Sequence, residues 1–347
     1  MSDLSEGIIL GIGNPLLDIT CNVSDEFLTK WKLNANDAIM TEGESHDKLF
    51  TEITANYQCQ YIAGGSCQNT LRTIQWMLSK PNLVTCFGGV GDDEFGRIMA
   101  DKSREVGLNS VYRVDKLVPT GKCACLISQG NACRSLVAYL GASQSFNIQH
   151  VLDNYSYVEK AKIIYSTGYH LAVSKESILN LADHAHSNAG KLFAFNLSAP
   201  YISQVFGKDL LEVVPYMDIL FGNETEAAAF AELNGWQTKD LKQVAKLAAD
   251  MPCRRPDGRI VVITQGVDAV LVATTAHHEV REYPVPVVPE SEIVDTIGAG
   301  DAFVGGYFAQ LVRYRPIDVC VRSGVYAAQQ VIRQIGAHFP QQMTFDE

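Results

Sequence analysis

The sequence predicts an α/β fold: a doubly wound, mostly parallel sheet with a small β-sheet lid. Three observations lead there. From about residue 160, short apolar runs alternate with longer amphipathic ones. Near the N-terminus, GIILGIG and PNLVTCFGGVG add two further apolar runs on either side of a helical pattern. Two stretches, about 17–42 and 118–140, break this alternation with strand-like texture of their own.

In chain order, GIILGIG is expected as a strand, with a helix at about 66–79 and PNLVTCFGGVG as the next strand. AKIIYSTG then precedes the helix KESILNLADHAHSNAG, KLFAFNLSAP precedes SQVFGKDLLEVV, and DILFGN precedes ETEAAAFAELNG. Continuous apolar strands separated by helices indicate a parallel sheet covered on both faces. RIVVITQG and AVLVATTA continue it, and helices at about 299–314 and 316–333 close it. Outside this pattern, LDITCNV and residues 36–42 read as short strands, while GKCACLISQGNACRSLVAYLG reads as two strands joined by a Gly130-Asn131 turn. The expected division is a large domain from about 1–16, 43–117 and 141–347, with a lid from 17–42 and 118–140. A small sheet over the mouth of the large one would exclude water during a reaction.

Composition excludes several classes. A chain of 347 residues, 47% hydrophobic and 19% charged, has a sizeable core, and a net charge of −11 disfavours a nucleic-acid polymer as partner. No run approaches the length of a membrane helix, and the N-terminus lacks a basic, apolar leader, so a cytoplasmic location is expected. Nine cysteines spread along the chain read as reduced thiols. Cys123 and Cys125 share a strand face, yet the sequence offers no second cluster to complete four metal ligands.

Residues 295–306, DTIGAGDAFVGG, place Gly298, Ala299 and Gly300 at a strand-to-helix junction with Asp301 in the first helical turn. Unsatisfied backbone N–H groups and the helix dipole favour an anion there. A carboxylate beside such a hole can take the proton of a hydroxyl that attacks a phosphoryl group. Taken alone, the four residues read equally well as a tight turn that caps a helix. Three other strand ends carry polar groups: Asn14 and Asp18 in GNPLLD, Ser66 and Asn69 after Gly64-Gly65, and Asn223 with Glu226 at i, i+3 spacing. The first pair could grip vicinal hydroxyls, and the last could hold water ligands of Mg2+. As turn, cap and surface residues they would have purely structural roles. There is no G-x-x-x-x-G-K-[ST], no protein-kinase signature and no complete dinucleotide fingerprint.

GNPLLDI, AGGSCQNT, NLSAPYISQ, DILFGNETEAA and DTIGAGDAFVGG, in this order, resemble the adenosine branch of the ribokinase-like (PfkB) carbohydrate kinase family over nearly the whole chain. The resemblance implies transfer of the ATP γ-phosphate to the 5'-hydroxyl of adenosine with Mg2+, giving AMP and ADP, by a monomer. It makes Asp301 the base and Gly298, Ala299 and Gly300 the anion hole. Asn14 and Asp18 would grip the ribose with Gly64, Gly65, Ser66 and Asn69. The base pocket would comprise Leu16, Met40, Cys123, Leu136, Ala138 and Tyr169, with the tyrosine able to stack on the purine. Asn223, Thr264 and Gly266 would serve ATP, Glu226 would hold Mg2+ through water, and Arg134 would close on the transferring phosphate. Ile297, Ala38 and the pair Tyr169-His170 depart from the family pattern. The alternatives are a kinase for another nucleoside or a sugar, and a nucleoside-binding protein without catalysis.

Overall fold

A computed structural model describes residues 4–34, 38–40, 44–128 and 133–346, without the side chains of Ala38, residues 44–47 and Arg134. Its strands are β1 (Ile9–Ile12), β2 (Leu16–Asn22), β3 (Ala38–Met40), β4 (Gln60–Gly64), β5 (Val84–Gly91), β6 (Asn109–Asp115) and β7 (Lys122–Ser128). They continue with β8 (Cys133–Tyr139), β9 (Ile163–Thr167), β10 (Leu192–Asn196), β11 (Ile219–Asn223), β12 (Ile260–Gln265), β13 (Asp268–Thr274) and β14 (His277–Tyr283). Nine form the large sheet in the order β14-β13-β12-β11-β10-β9-β1-β5-β6, and five form the small one in the order β3-β8-β7-β2-β4.

Side-chain alternation along the central strands explains the two helical layers. Leu10, Ile12, Ile164, Phe193, Phe195, Leu220, Val261 and Ile263 face one core, under helices that include Glu224–Leu233 and Leu241–Asp250. Their neighbours Ile9, Ile163, Tyr165, Ala194, Phe221 and Val262 face the other, under the helices Ser66–Leu78, Ala299–Leu311 and Ile317–Val331. Both faces are dry, which is why these strands read as continuous apolar runs. Each fully buried Leu, Ile or Phe contributes roughly 1.5–3 kcal/mol.

The small sheet alternates differently. Leu17, Ile19, Cys21, Ala124, Leu126 and Val137 pack into a third core with Phe27, Phe50 and Ile53. The opposite parity, Asp18, Cys123, Leu136 and Ala138, lines a cavity between the two sheets.

Several expectations need correction. β4, assigned to the large domain on sequence, pairs antiparallel with β2 in the small sheet. β12–β13 and β13–β14 are antiparallel, because a turn of a few residues cannot make a parallel crossover. β14 is exposed along most of its length and so carried no apolar period. Residues 168–187 form two helices across a break at Ser174, whose hydroxyl accepts from Ser177 N at 3.4 Å and starts the second. SQVFGKDLLEVV likewise divides at Phe206 into Pro200–Val205 and Gly207–Val213. The two strands of 118–140 pair as expected, and the turn at 129–132 lies outside the described residues.

Candidate active site

Five adjacent parallel strands of the large sheet deliver polar residues to one crevice at their carboxyl ends. Asn14 follows β1, while Thr167, Asn196, Asn223 and Thr264 stand in β9, β10, β11 and β12. All five line a cavity of about 670 Å³. The small sheet roofs it with Leu16, Asp18, Met40, Cys123, Leu136 and Ala138, and two helix starts enter it with Ser66, Asn69, Gly298, Gly300 and Asp301. Crevices of this kind, beyond the strand ends of a doubly wound sheet, are where ligands bind.

At the centre is Asp301. Ser66 Oγ donates to its Oδ1 at 2.6 Å and Asn69 Nδ2 to its Oδ2 at 3.1 Å. Ser66 and Asn69, assigned to the ribose on sequence, therefore hold the carboxylate and set its orientation. Burial pushes the Asp301 carboxyl up to about 6, against the lowering effect of those two hydrogen bonds. Helix-start stabilisation alone, the basis of the sequence expectation, does not set its proton affinity; desolvation is the larger influence. At neutral pH it is still mostly ionised.

Around it, the helix Ala299–Leu311 starts at Gly298, which takes φ +79° in the left-handed region. A residue with a Cβ is strained there by roughly 1–2 kcal/mol. Ala299 N donates to Thr296 O at 3.2 Å, whereas among the described residues the Gly300 and Asp301 amides find no acceptor in the protein. Ala299 itself does not line the cavity. The space above Gly300 is open, with no atom within 4 Å of where a Cβ would stand. Unpaired N–H groups at a helix start, facing open volume, form an anion site.

Two further carboxylates share the cavity. Burial raises Asp18 to about 7; Arg72 opposes the shift and Asp301 adds to it. A Cβ at Gly64 would stand 2.1 Å from the Asp18 carboxylate, so glycine is what lets that side chain lie across β4. Gly64 itself stays outside the cavity lining, whereas Gly65 is part of it. Glu226 is likewise raised by burial to about 7. With Asn223 it forms a reciprocal cap: Glu226 Oε2 accepts from Asn223 N at 3.0 Å and Oε1 from Asn223 Nδ2 at 2.9 Å. Asn223 Oδ1 accepts from the Thr225 and Glu226 amides. The cap expected as a bland alternative is real, yet it also presents the Glu226 carboxylate to the cavity.

Asn14 is fixed from behind. Its Nδ2 donates to Tyr169 O at 3.0 Å, and His170 Nδ1 donates to its Oδ1 at 2.7 Å. His170 is fully buried, and desolvation lowers it to about 3, so the ring is neutral and Nδ1 carries the proton. Tyr169 lines the cavity, with its hydroxyl donating to Ser198 O at 2.9 Å. Gly266 sits in the turn after β12, outside the lining, while Thr264 belongs to it. Arg134 lies in β8, paired with Ile127, and its side chain is outside the described residues, as is that of Ala38. Sequence reasoning missed Thr167, Asn196, Ser198, Tyr201 and Phe303 as cavity residues. The strand-end rule applied to β9 and β10 would have found the first two.

Fold and site together define a ribokinase-like phosphoryl-transfer architecture, a large α/β crevice with a small sheet over it. The chain belongs to the pfkB family of carbohydrate kinases, whose family description matches residues 30–343. It is 42% identical to adenosine kinase 2 of Arabidopsis thaliana over 347 residues, 98% of each chain. Among solved structures it resembles Anopheles gambiae adenosine kinase in complex with P1,P4-di(adenosine-5) tetraphosphate, with TM-score 0.88 and 42% identity over 99% of this chain and 100% of that one. It also resembles adenosine kinase of Schistosoma mansoni in complex with 2-fluoroadenosine, with TM-score 0.86 and 35% identity over 98% and 99% of the two chains.

Proposed function

We propose that this protein transfers the γ-phosphate of ATP to the 5'-hydroxyl of adenosine, giving AMP and ADP. The observation that carries the reading is a half-buried carboxylate, Asp301, held by Ser66 and Asn69 beside unpaired amides at a helix start, in a cavity that also has an apolar lining. The kinship with adenosine kinases along nearly the full chain supports the substrate.

The apolar lining, which includes Leu16, Leu136, Ala138 and Tyr169, suits a flat purine, and a bare sugar would leave those surfaces unfilled. Asn14, preset by His170, and Asp18 take the ribose hydroxyls. This leaves the 5'-oxygen facing Asp301. As that oxygen attacks the γ-phosphorus, its proton passes to the Asp301 carboxylate, the bond from the γ-phosphorus to the β–γ bridging oxygen breaks, and ADP leaves. The Gly300 and Asp301 amides stabilise the charge that develops on the transferring group, so positioning and charge supply most of the acceleration.

Mg2+ fits the donor set: Glu226 is buried, faces the cavity, and keeps lone pairs beyond its two cap bonds for metal-bound water. When bound with ATP, the ion neutralises phosphate charge. Nine cysteines outside any disulfide suit the reducing cytoplasm, and among the described residues no helix is long and apolar enough to cross a membrane.

The test is ADP release from Mg-ATP with adenosine, guanosine, inosine, ribose or fructose 6-phosphate. Turnover on adenosine that Asp301→Asn lowers by about 10²–10⁴-fold, with adenosine still bound, is the expected result. Turnover on a sugar alone would overturn the substrate, and near-normal turnover in the variant would overturn the base.

A further inference from the structure

β2 and β7 run parallel with Asp18 beside Cys123 and Thr20 beside Cys125. Because side chains two apart share a strand face, Asp18, Cys123 and Cys125 all project from the same side of the small sheet. One ligand atom from each, a carboxylate oxygen and two sulfurs, lies within 4.8 Å of the others. Two sulfurs at ~2.3 Å from a tetrahedral centre stand about 3.8 Å apart, so the three donors can share one ion with minor rotamer adjustment. Among the described residues the Asp18 carboxylate accepts no hydrogen bond from the protein, although it is half-buried. Asp18 and Cys123 also border the cavity, which leaves room for a fourth, exchangeable ligand.

From this geometry we infer a second cation site, distinct from that of the phosphates: Asp18, Cys123 and Cys125 bind a soft divalent ion such as Zn2+ or Cd2+, and the bound ion excludes the nucleoside. Two thiolates and a carboxylate select soft ions over Mg2+. Each ligating thiol gives up its proton to solvent on binding. Exclusion rests on the proposed function, in which Asp18 grips the ribose and so cannot hold an ion and the ribose hydroxyls together. The C-x-C spacing alone pointed to two ligands, and only the β2–β7 pairing adds the third.

The intact protein, reduced and freed of metal, is titrated with Cd2+ in the absence of ATP, by calorimetry and by sulfur-to-cadmium charge-transfer absorption. One equivalent is expected to bind with a charge-transfer band that adenosine reverses and excess Mg2+ leaves unchanged. Cys125 lies outside the cavity lining, so Cys125→Ala keeps basal ADP release while weakening Cd2+ binding by at least about tenfold. Cys125→Ser serves as a second variant if the alanine form folds poorly, and Cys253→Ala, a remote thiol, leaves binding unchanged. Equal Cd2+ binding by wild type and both Cys125 variants would overturn the site. A band that survives saturating adenosine would overturn the exclusion. The band is read without turnover, so failure of the site and failure of the adenosine reading are separable.

Discussion

Asp301 and His170 show how burial sets chemistry at the level of one side chain. With its carboxyl raised to about 6, Asp301 gains a proton as pH falls through that value and can no longer accept one from a hydroxyl. The kcat/KM profile, which reports the free enzyme, is therefore expected to have an acid limb near pH 6, and the residual kcat/KM of Asp301→Asn should lack it. A limb unchanged in the variant would assign that titration elsewhere. His170, half of the pair that departs from the family pattern, donates to Asn14 Oδ1 at 2.7 Å. One hydrogen bond contributes about 1 kcal/mol. His170→Phe should thus raise the nucleoside KM about fivefold with little change in kcat, a split that steady-state kinetics reads directly. Asn14 was legible in the sequence at a strand end and Asp301 at a helix start, although irregular chain and no strand precedes that helix, while Asp18, expected just past a strand, lies within β2. The holding roles of Ser66, Asn69 and His170 were not, because each contact joins positions far apart in the chain, 235 residues in the case of Ser66 and Asp301.

At the level of elements, the start of the helix Ala299–Leu311 separates two kinds of glycine. Gly298 is required by its positive φ, whereas Gly300 is helical with open space where a side chain would go. Gly298→Ala should lower stability by about 1–2 kcal/mol. Gly300→Ala should leave stability unchanged or raise it by about 0.5–1 kcal/mol, while a methyl group in the anion site lowers kcat/KM for ATP about tenfold or more. Denaturant unfolding beside ATP-dependent kinetics for the pair checks both, and normal ATP kinetics in Gly300→Ala would remove the phosphate from this helix start. The parallel strands and these helices were readable because both faces of the sheet are dry. β14 was not, since an exposed edge strand has no apolar period to read, and β4 was placed with the wrong sheet because its apolar run does not encode its partner.

Across the whole molecule, Asp18, Asp301 and Glu226 are all raised by burial, and the native state holds protons that the unfolded chain has lost. For a carboxyl raised above its unfolded value, stability is greatest at low pH and falls as pH climbs from the unfolded to the folded pKa, here from about 4 to about 6–7. The Asp301 shift alone corresponds to about 2–3 kcal/mol at most. Unfolding free energy is thus expected to decline between about pH 5 and pH 7.5, and Asp301→Asn should be the more stable protein at the upper end, a cost of keeping a buried base. Denaturant curves at both pH values test this, and equal stability of wild type and variant at pH 7.5 would refute it. Adenosine at about 100 times its Kd should add about 2.7 kcal/mol, by mass action. The sequence by itself determined the fold class, the strand-end polar residues and the glycine-rich helix start, since apolar period and turn chemistry are local properties of the chain. Tertiary structure alone decided which strands roof the cavity, how Ser66 and Asn69 orient Asp301, and that Asp18 meets Cys123 and Cys125. Those depend on sheet register and long-range packing, and the proton affinities depend in turn on the burial that packing creates.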